Sequence, residues 1–445
     1  MARTHFLSDL LSTLFERRYR AGTTRDRRSA VELARALLTG VGEVSGLQMA
    51  RSLIERYEAM DDAEKVDYFE FMANELDIDL PAIEEAIRVY AGDRSRAHFD
   101  GLQRLGQPKR QELLRRINQI PGATAKLVAM RVDLQKIIRE HPDLARLDVD
   151  FVHLFSSWFN RGFLVLRRID WETPANILEK IIEYEAVHAI DDWDDLRRRI
   201  EPEDRHCFGF FHPVMPDEPL IFVEGALCRG IPQSVQEVLA SEREVLPESE
   251  ADTAVFYSIS NCQQGLGGIS FGNSLIKQVV ENLSRDLPHL RTYVTLSPLP
   301  GFRDWLEAAA ADIASPVVDD ILAIAKTASP GDIDGLAAHS ETLRHLAARY
   351  LVEEKRPSGQ PLDPVARFHL GNGALIHDIH ALADVSRNGI DQAFGVMVNY
   401  LYDPGRVEAN HENFAGEGRI ARTRMIYGLL KAGIPEKNQR KTANA

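Results

Sequence analysis

The spacing of hydrophobic residues changes near residue 150 of the chain. Over residues 4–147 apolar side chains recur every three or four positions, as at Leu53, Ile54 and Tyr57, which is the period of a helix with one buried face. Gly40 and Gly106 are two of the breakers that interrupt the pattern where helices would end. This half is predicted to be a bundle of roughly six to eight helices with almost no strand.

Strand signals appear in the second half. Phe208–Phe211 and Leu220–Val223 flank the turn-rich segment Pro213–Pro219, which predicts a hairpin with a long loop. Ala254–Ser260 and Thr292–Leu296 are β-rich, and helical spacing lies between them. The succession of strand, Gly-rich loop, helix and strand predicts a βαβ unit with a parallel pair of strands.

These two patterns predict two domains. At 445 residues the chain is too long for one ordinary core. We expect an all-helical bundle over residues 1–150, which serves assembly into a homo-oligomer, and an α/β domain over residues 151–445. Within the second domain, helical spacing returns over residues 305–354 and the last predicted strand is Phe394–Tyr402.

Composition narrows the class of partner and the compartment. A formal charge of −14 argues against a nucleic-acid partner, and no apolar run approaches the ~20 residues of a membrane span. Three cysteines without a CxxC pair suit a reducing compartment, so we expect the cytoplasm. Seven arginines in residues 1–30 keep a mitochondrial transit peptide as an alternative, although acids within this stretch favour a mature helix.

The loop between the predicted strand and helix is the first candidate site. Gln263–Asn273 contains four glycines, which let a backbone turn tightly and present its N–H groups at the positive end of the following helix. Lys277 would lie near the first turn of that helix and could pair with phosphates. The loop is neither GxxxxGK[ST] nor GxGxxG, and glycines that merely make a tight connection are the alternative explanation.

Longer motifs carry a resemblance to known families. The strand–loop–helix unit resembles the acyl-CoA-binding core of the GNAT acetyltransferase superfamily. A closer resemblance, to the malonyl-CoA decarboxylase family, covers most of the chain. It rests on strings that occur in the family's order: Phe256–Ser260, Gln264–Leu266, Leu275–Lys277, Leu296–Phe302, Phe368–Leu370, Asn372–Ala374, Ala383–Ser386 and Asn399–Tyr400.

The resemblance implies a fold and a set of site residues. It implies a helical domain followed by an acetyltransferase-like (GNAT-like) α/β domain, with Ser297 and His369 as the catalytic pair. Ser270 stands where relatives can have a glutamate. Ser258 and Tyr402 match positions that the family places near the reacting malonyl group. The full set expected to bind the substrate is Ser258, Gly265, Gly267, Gly268, Ile269, Ser270, Phe271, Gly272, Asn273, Lys277 and Tyr402.

The implied reaction converts malonyl-CoA to acetyl-CoA and CO₂. We expect no metal or organic cofactor, because the thioester itself delocalises the electron pair left by decarboxylation. A histidine that titrates near neutrality, His369, would protonate the enolate with Ser297 as its partner. An acyl-CoA-dependent N-acyltransferase and a non-catalytic acyl-CoA-binding protein remain alternatives. His377 and His380, three residues apart on an assumed helix, form a weak metal candidate.

Overall fold

The computed structural model describes residues 26–40, 42–269, 275–327 and 333–432. They divide into two compact units. The first is the chain up to Trp158 together with Gln264–Ile269, and the second comprises Phe159–Gln263 and the residues from 270 onward. The predicted boundary at residue 150 lies inside a helix that ends at Trp158.

The first unit contains eight α-helices among its described residues, and no strand occurs there. They are α1 (Ala30–Thr39), α2 (Glu43–Glu58), α3 (Asp62–Asn74), α4 (Leu80–Gly92), α5 (Arg96–Leu105), α6 (Lys109–Ile117), α7 (Ala123–Ile137) and α8 (Ala145–Trp158). Capping boxes at Ser29 and Asp61 begin α1 and α3, because each side chain satisfies an otherwise unpaired N–H group of the first turn. The predicted helical bundle is confirmed.

Helices α4 and α5 differ from the rest of the bundle. Neither helix contains a buried residue. Leu80 is 61%, Ile87 52% and Phe99 43% exposed, so both helices leave an apolar stripe exposed. An exposed stripe of this kind is typical of an interaction surface.

The second unit is built on one mixed eight-stranded sheet. Its strands are β1 (Val165–Ile169), β2 (Arg205–His212), β3 (Met215–Cys228), β4 (Thr253–Asn261), β5 (Thr292–Thr295), β6 (Ser297–Pro298), β7 (Leu375–His380) and β8 (Met397–Leu401). The order is β1-β2-β3-β4-β5-β8-β6, and β7 also pairs with β8. Only the β4–β5 pair is parallel, which confirms the predicted βαβ unit and the α/β class.

Helices of the second unit lie between these strands. They are α9 (Ala175–Tyr184), α10 (Trp193–Ile200), α11 (Val235–Leu239), α12 (Leu275–Asp286), α13 (Phe302–Ile313), α14 (Pro316–Ala325), α15 (Asp334–Ala337), α16 (Ser340–Val352), α17 (Pro364–Gly371), α18 (Arg387–Ala393), α19 (Val407–Glu417) and α20 (Arg424–Ala432). The helical stretch expected over residues 305–354 is confirmed by α13–α16. No described helix is both long and apolar enough to cross a membrane.

Two predicted elements have different limits in the structure. The prediction of a long hairpin loop is wrong, because β2 ends at His212 and β3 already begins at Met215. The register of the two strands shifts around Phe211. The last strand begins at Met397 rather than Phe394. Phe394 instead ends α18 in a left-handed conformation, at φ 55°, which reverses the chain before the strand.

Candidate active site

Strand β8 and the end of β5 place two of the predicted site residues. Thr295 ends β5, and Ser297 begins β6 and pairs with Val398 of β8. At the far end of β8, the backbone N–H of Tyr402 donates to the carbonyl of Tyr293 at 2.8 Å. Strand β8 borders both β5 and β6. It therefore positions Ser297 by pairing with β6, and Tyr402 by carrying it just after its last residue.

Helix α17 carries His369 in its last turn. Asp363 caps the helix by accepting the N–H of Ala366 at 2.7 Å, and Pro364 occupies the first turn, where a missing N–H costs nothing. The chain leaves the helix through Gly373, at φ +84°. A Cβ there would lie 1.9 Å from the carbonyl oxygen of Val407, so only glycine fits this turn.

A chain of hydrogen bonds joins these residues. The hydroxyl of Ser297 donates to Oγ1 of Thr295 at 2.9 Å, and its Oγ lies 3.0 Å from Nε2 of His369. Because the single serine proton is committed to Thr295, Nε2 of His369 carries the proton of that second bond. Nδ1 is then the acceptor, and Tyr402 donates its hydroxyl to it at 2.8 Å. The network defines one neutral tautomer of the imidazole.

Burial sets the protonation state of this site. His369 is 2% exposed, and desolvation lowers its pKa from 6.5 to about 3. The expectation of a pKa near neutrality for His369 is therefore wrong. Burial also raises the pKa of Tyr402 well above its ordinary value, so the phenol keeps its proton. The imidazole stacks on Tyr400, with ring centroids 4.5 Å apart.

Ser258 belongs to a second polar group of the same unit. It lies on β4, and its Oγ is 2.8 and 2.7 Å from the two carboxylate oxygens of Glu185. Ser260 also donates to that carboxylate at 3.2 Å, and the N–H groups of Val187 and His188 donate to it at 2.8 Å. Glu185 thus accepts hydrogen bonds from two strand serines and one turn of backbone, and it fixes the orientation of Ser258.

The first half of the glycine-rich loop belongs to the helical unit. The buried guanidinium of Arg131 donates to the carbonyls of Gly265 and Gly267 at 2.8 and 2.9 Å, while Asp148 holds the same guanidinium at 2.6 Å. A Cβ at Gly265 would lie 2.1 Å from the carbonyl oxygen of Val128 in α7. Close packing explains this glycine without any ligand.

The described part of the loop ends at Ile269. Gly268 has φ +79°, a conformation that favours glycine. The N–H groups of Gly267 and Ile269 donate to carbonyls within the loop, so these two donors are not presented to a ligand as we had expected. The predicted binding residues Ser270, Phe271, Gly272 and Asn273 lie outside the described residues. Lys277 lies on α12 and is partly exposed.

The structure therefore brings Ser297, His369 and Tyr402 into one hydrogen-bonded chain. Thr295 and Tyr400 were not predicted as site residues, although Tyr400 belongs to one of the matched strings. Each is two residues from a predicted site residue on a strand, and this period of two was a usable signal, because such residues share a face of the sheet. Glu185, which holds Ser258 from 73 residues away, had no comparable signal.

The alternative metal site at His377 and His380 is not supported. These residues lie on β7, not on a helix, and a three-residue spacing on a strand does not place side chains on one face. Nδ1 of His377 makes no hydrogen bond, whereas His380 bonds the side chain of Asn399 at 2.5 Å. Among the described residues, no group of three His, Cys, Asp or Glu side chains could hold a metal ion.

Fold and site together define a two-unit α + α/β protein with a buried Ser–His–Tyr site on a mixed sheet. The family model of the malonyl-CoA decarboxylase C-terminal domain matches residues 162–441, and that of the N-terminal domain matches residues 77–159. The chain belongs to the malonyl-CoA decarboxylase family.

Individual relatives agree with this assignment. The solved malonyl-CoA decarboxylase from Rhodopseudomonas palustris is 49% identical, with a TM-score of 0.85 over 90% of this chain and 100% of that one. The one from Agrobacterium vitis is 47% identical, with a TM-score of 0.84 over 90% and 99%. The mitochondrial malonyl-CoA decarboxylase of Rattus norvegicus is 33% identical over 78% of this chain and 75% of its own length.

Proposed function

We propose that this protein converts malonyl-CoA to acetyl-CoA and CO₂, with His369 as the proton donor. The observation that carries the proposal is the buried chain from Thr295 through Ser297 and His369 to Tyr402, in a member of this family. A metal-independent carboxy-lyase reaction suits such a site, because the thioester of the substrate accepts the electron pair that CO₂ leaves behind. The protein then has to stabilise an enolate and protonate its carbon.

The substrate supplies the charge that makes His369 an acid. Its pKa is low because burial penalises the imidazolium and no neighbouring anion compensates. The malonyl carboxylate, bound beside the ring in a site of low dielectric, raises that pKa. His369 takes up the proton that the overall reaction consumes, and after C–C cleavage it passes the Nε2 proton to the enolate carbon. The histidine is neutral before binding and neutral again when acetyl-CoA has formed.

Ser297 and Tyr402 hold the ring for this transfer. Ser297 accepts the Nε2 proton and fixes the direction in which it points, while the hydroxyl of Tyr402 determines which nitrogen carries the proton in the free protein. When the ring becomes imidazolium, the same phenol oxygen accepts from Nδ1.

The CoA ester is bound by the residues that follow β4 in the sequence. Gly268 and the part of the loop up to Asn273 contact the phosphates, and the ammonium of Lys277 pairs with them. Gly265 and Gly267 shape the loop, since their carbonyls are held by Arg131. Ser258 contacts the malonyl group, with its orientation fixed by Glu185.

The test is to incubate the purified protein with malonyl-CoA and to follow CO₂ and acetyl-CoA together. Equal release of both is expected, and Ser297→Ala and His369→Ala should each lower kcat by about 10²- to 10⁴-fold while CoA-ester binding persists. Near-normal kcat in either variant would remove that residue from the mechanism. Binding without release of CO₂ would refute the decarboxylase and direct the search to amine acceptors, and then to a binding protein.

Assembly through the helical unit and a cytoplasmic location complete the proposal. The exposed apolar side chains of α4 and α5, among them Ile87 and Phe99, are the surface through which copies associate. Sedimentation of the native chain should show an oligomer, and Ile87→Glu with Phe99→Glu should yield monomers of unchanged fold. The curated relatives are named as mitochondrial proteins, so cell fractionation has to distinguish the two compartments.

A further inference from the structure

A cavity of about 140 Å³ in the second unit has a strongly basic lining. It lies between the end of α10, the start of β2 and the chain that follows α11. Four arginines line it, namely Arg198, Arg199, Arg205 and Arg243. The residues that have been placed in the decarboxylation site do not take part in this lining.

The guanidinium groups of the lining outnumber the carboxylates that neutralise them. Asp195 pairs with Arg198 at 3.1 Å and with Arg199 at 2.9 Å, and Asp204 accepts two hydrogen bonds from Arg243. Two carboxylates are thus shared among four cations.

Three further glutamates do not remove this excess of positive charge. Glu224 lies 3.4 Å from Arg199, but burial raises the pKa of Glu224 to about 8, so it is largely protonated at neutral pH. Glu242 and Glu244 flank Arg243 in the chain, but their side chains are exposed and they are not part of the lining.

Arg205 is the cation with the weakest compensation. It is 4% exposed, and its guanidinium donates to two neutral carbonyls, those of Asp204 at 3.1 Å and Val238 at 2.6 Å. The closest approach to a carboxylate is 3.7 Å, to Asp204. Burial lowers the pKa of Arg205, which is the effect of a positive charge held away from water with too little negative charge nearby.

The base of the cavity, at Arg205, is remote from Ser297, although Arg199 of the lining donates to the carbonyl of His188 beside the group that holds Ser258. Arg205 pairs with Ala226 across β2 and β3, Ala226 pairs with Val255 on β4, and Val255 pairs with Val294 on β5. Val294 therefore lies three strands from Arg205, about 14 Å across the sheet, and Ser297 follows about 10 Å further along the chain. Strand β4 also runs away from this level, by about 20 Å, before the glycine-rich loop begins.

We propose that this arginine cavity is a second binding site, which takes a small oxyanion of two or three negative charges, such as a phosphate or a polycarboxylate. Arginine forks match the oxygens of both ligand types, and the volume admits such an ion but not a nucleotide. Arg198 lies at the opening, since its side chain is 50% exposed, and supplies donors that Asp195 does not use. Arg205 supplies the charge at the base.

Calorimetric titration at constant ionic strength tests the proposal, with inorganic phosphate and citrate as probes and chloride as the reference. The native protein should bind one equivalent of phosphate, citrate or both saturably. Arg198→Gln should weaken this binding about tenfold or more, as expected for a lost charge-assisted hydrogen bond. Arg198→Lys keeps the charge but not the forked pair of donors, so its affinity for the anion should lie between those of the native protein and Arg198→Gln.

Arg197→Gln is the matched control. Arg197 is the neighbouring residue on α10, has a side chain 52% exposed and pairs with Glu201 outside the cavity. Its loss should leave anion binding unchanged. Absence of saturable binding, equal affinities in Arg198→Gln and Arg197→Gln, or displacement of the anion by CoA would each overturn the proposal. The titration needs no turnover, so its outcome is independent of whether the decarboxylase function holds.

Discussion

Acidification should destabilise this protein through His369, and the size of the effect follows from its burial. In the unfolded chain a histidine takes up a proton below its ordinary pKa of 6.5, whereas in the folded protein His369 does so only near 3. Between these values the unfolded state binds the extra proton. The contribution of the neutral His369 ring to the unfolding free energy is therefore fully present above about pH 6.5, and it is lost as the pH falls toward 3.

The loss of unfolding free energy caused by His369 follows from the difference between its two pKa values. Each unit of pH within this window costs about 1.4 kcal/mol of unfolding free energy. At pH 5 the unfolded histidine is almost fully protonated and the folded one is not, so His369 alone should lower the unfolding free energy by about 2 kcal/mol relative to pH 7.5.

The assay compares urea unfolding of the native protein and of His369→Gln at pH 7.5 and pH 5. Glutamine keeps a donor and an acceptor but does not titrate. Other shifted groups, such as His206 with a pKa of about 4 and Asp363 with a pKa of about 6, are the same in both proteins. The native protein should therefore lose about 2 kcal/mol more than the variant. Equal losses would mean that His369 titrates near its ordinary pKa, and the neutral ring inferred for the free site would be wrong.

Three further substitutions test the parts of the structure that hold the site. Tyr402→Phe removes the donor to the buried Nδ1 of His369 and should cost about 1–3 kcal/mol in urea unfolding, with at least a tenfold loss of kcat; an unchanged kcat would contradict its role in orienting the ring. Gly265→Ala drives a Cβ against the carbonyl of Val128 and should cost about 1–3 kcal/mol; the control Gly268→Ala tests positive φ in open space. Arg131→Lys cannot span two carbonyls and a carboxylate and should raise the KM for malonyl-CoA more than it lowers kcat; an unchanged KM would separate this clamp from substrate binding.

Much of the site could be predicted because its residues occur in strings or at regular spacing. Ser297 and His369 were identified from the matched strings, and the structure places Oγ of Ser297 3.0 Å from Nε2 of His369. The strand on which Thr295 lies was also predicted, and its side chain faces Ser297 because the side-chain period of a strand is two. Local patterns of this kind depend only on neighbouring residues.

Other features of the site had no signal in the chain. Arg131 and the glycine-rich loop are separated by 134 residues, and nothing in the helical half indicated that one of its arginines would hold carbonyls of that loop. The glycines themselves suggested a phosphate cradle, yet Gly265 is explained by contact with a helix. The spacing of glycines shows which backbone conformations a segment can adopt. Which neighbouring segment requires such a conformation is decided by tertiary packing.

The sequence by itself determined the helical first unit, the α/β second unit, the parallel β4–β5 pair and the identity of the candidate catalytic residues. The tertiary structure alone decided the neutral state of His369, the pairing of Ser258 with Glu185 and the gathering of four arginines around one cavity. Periodicity and capping act over a few residues, so the sequence displays them directly. Desolvation and charge balance depend on which distant segments cover a group, and these are brought together only when the chain folds.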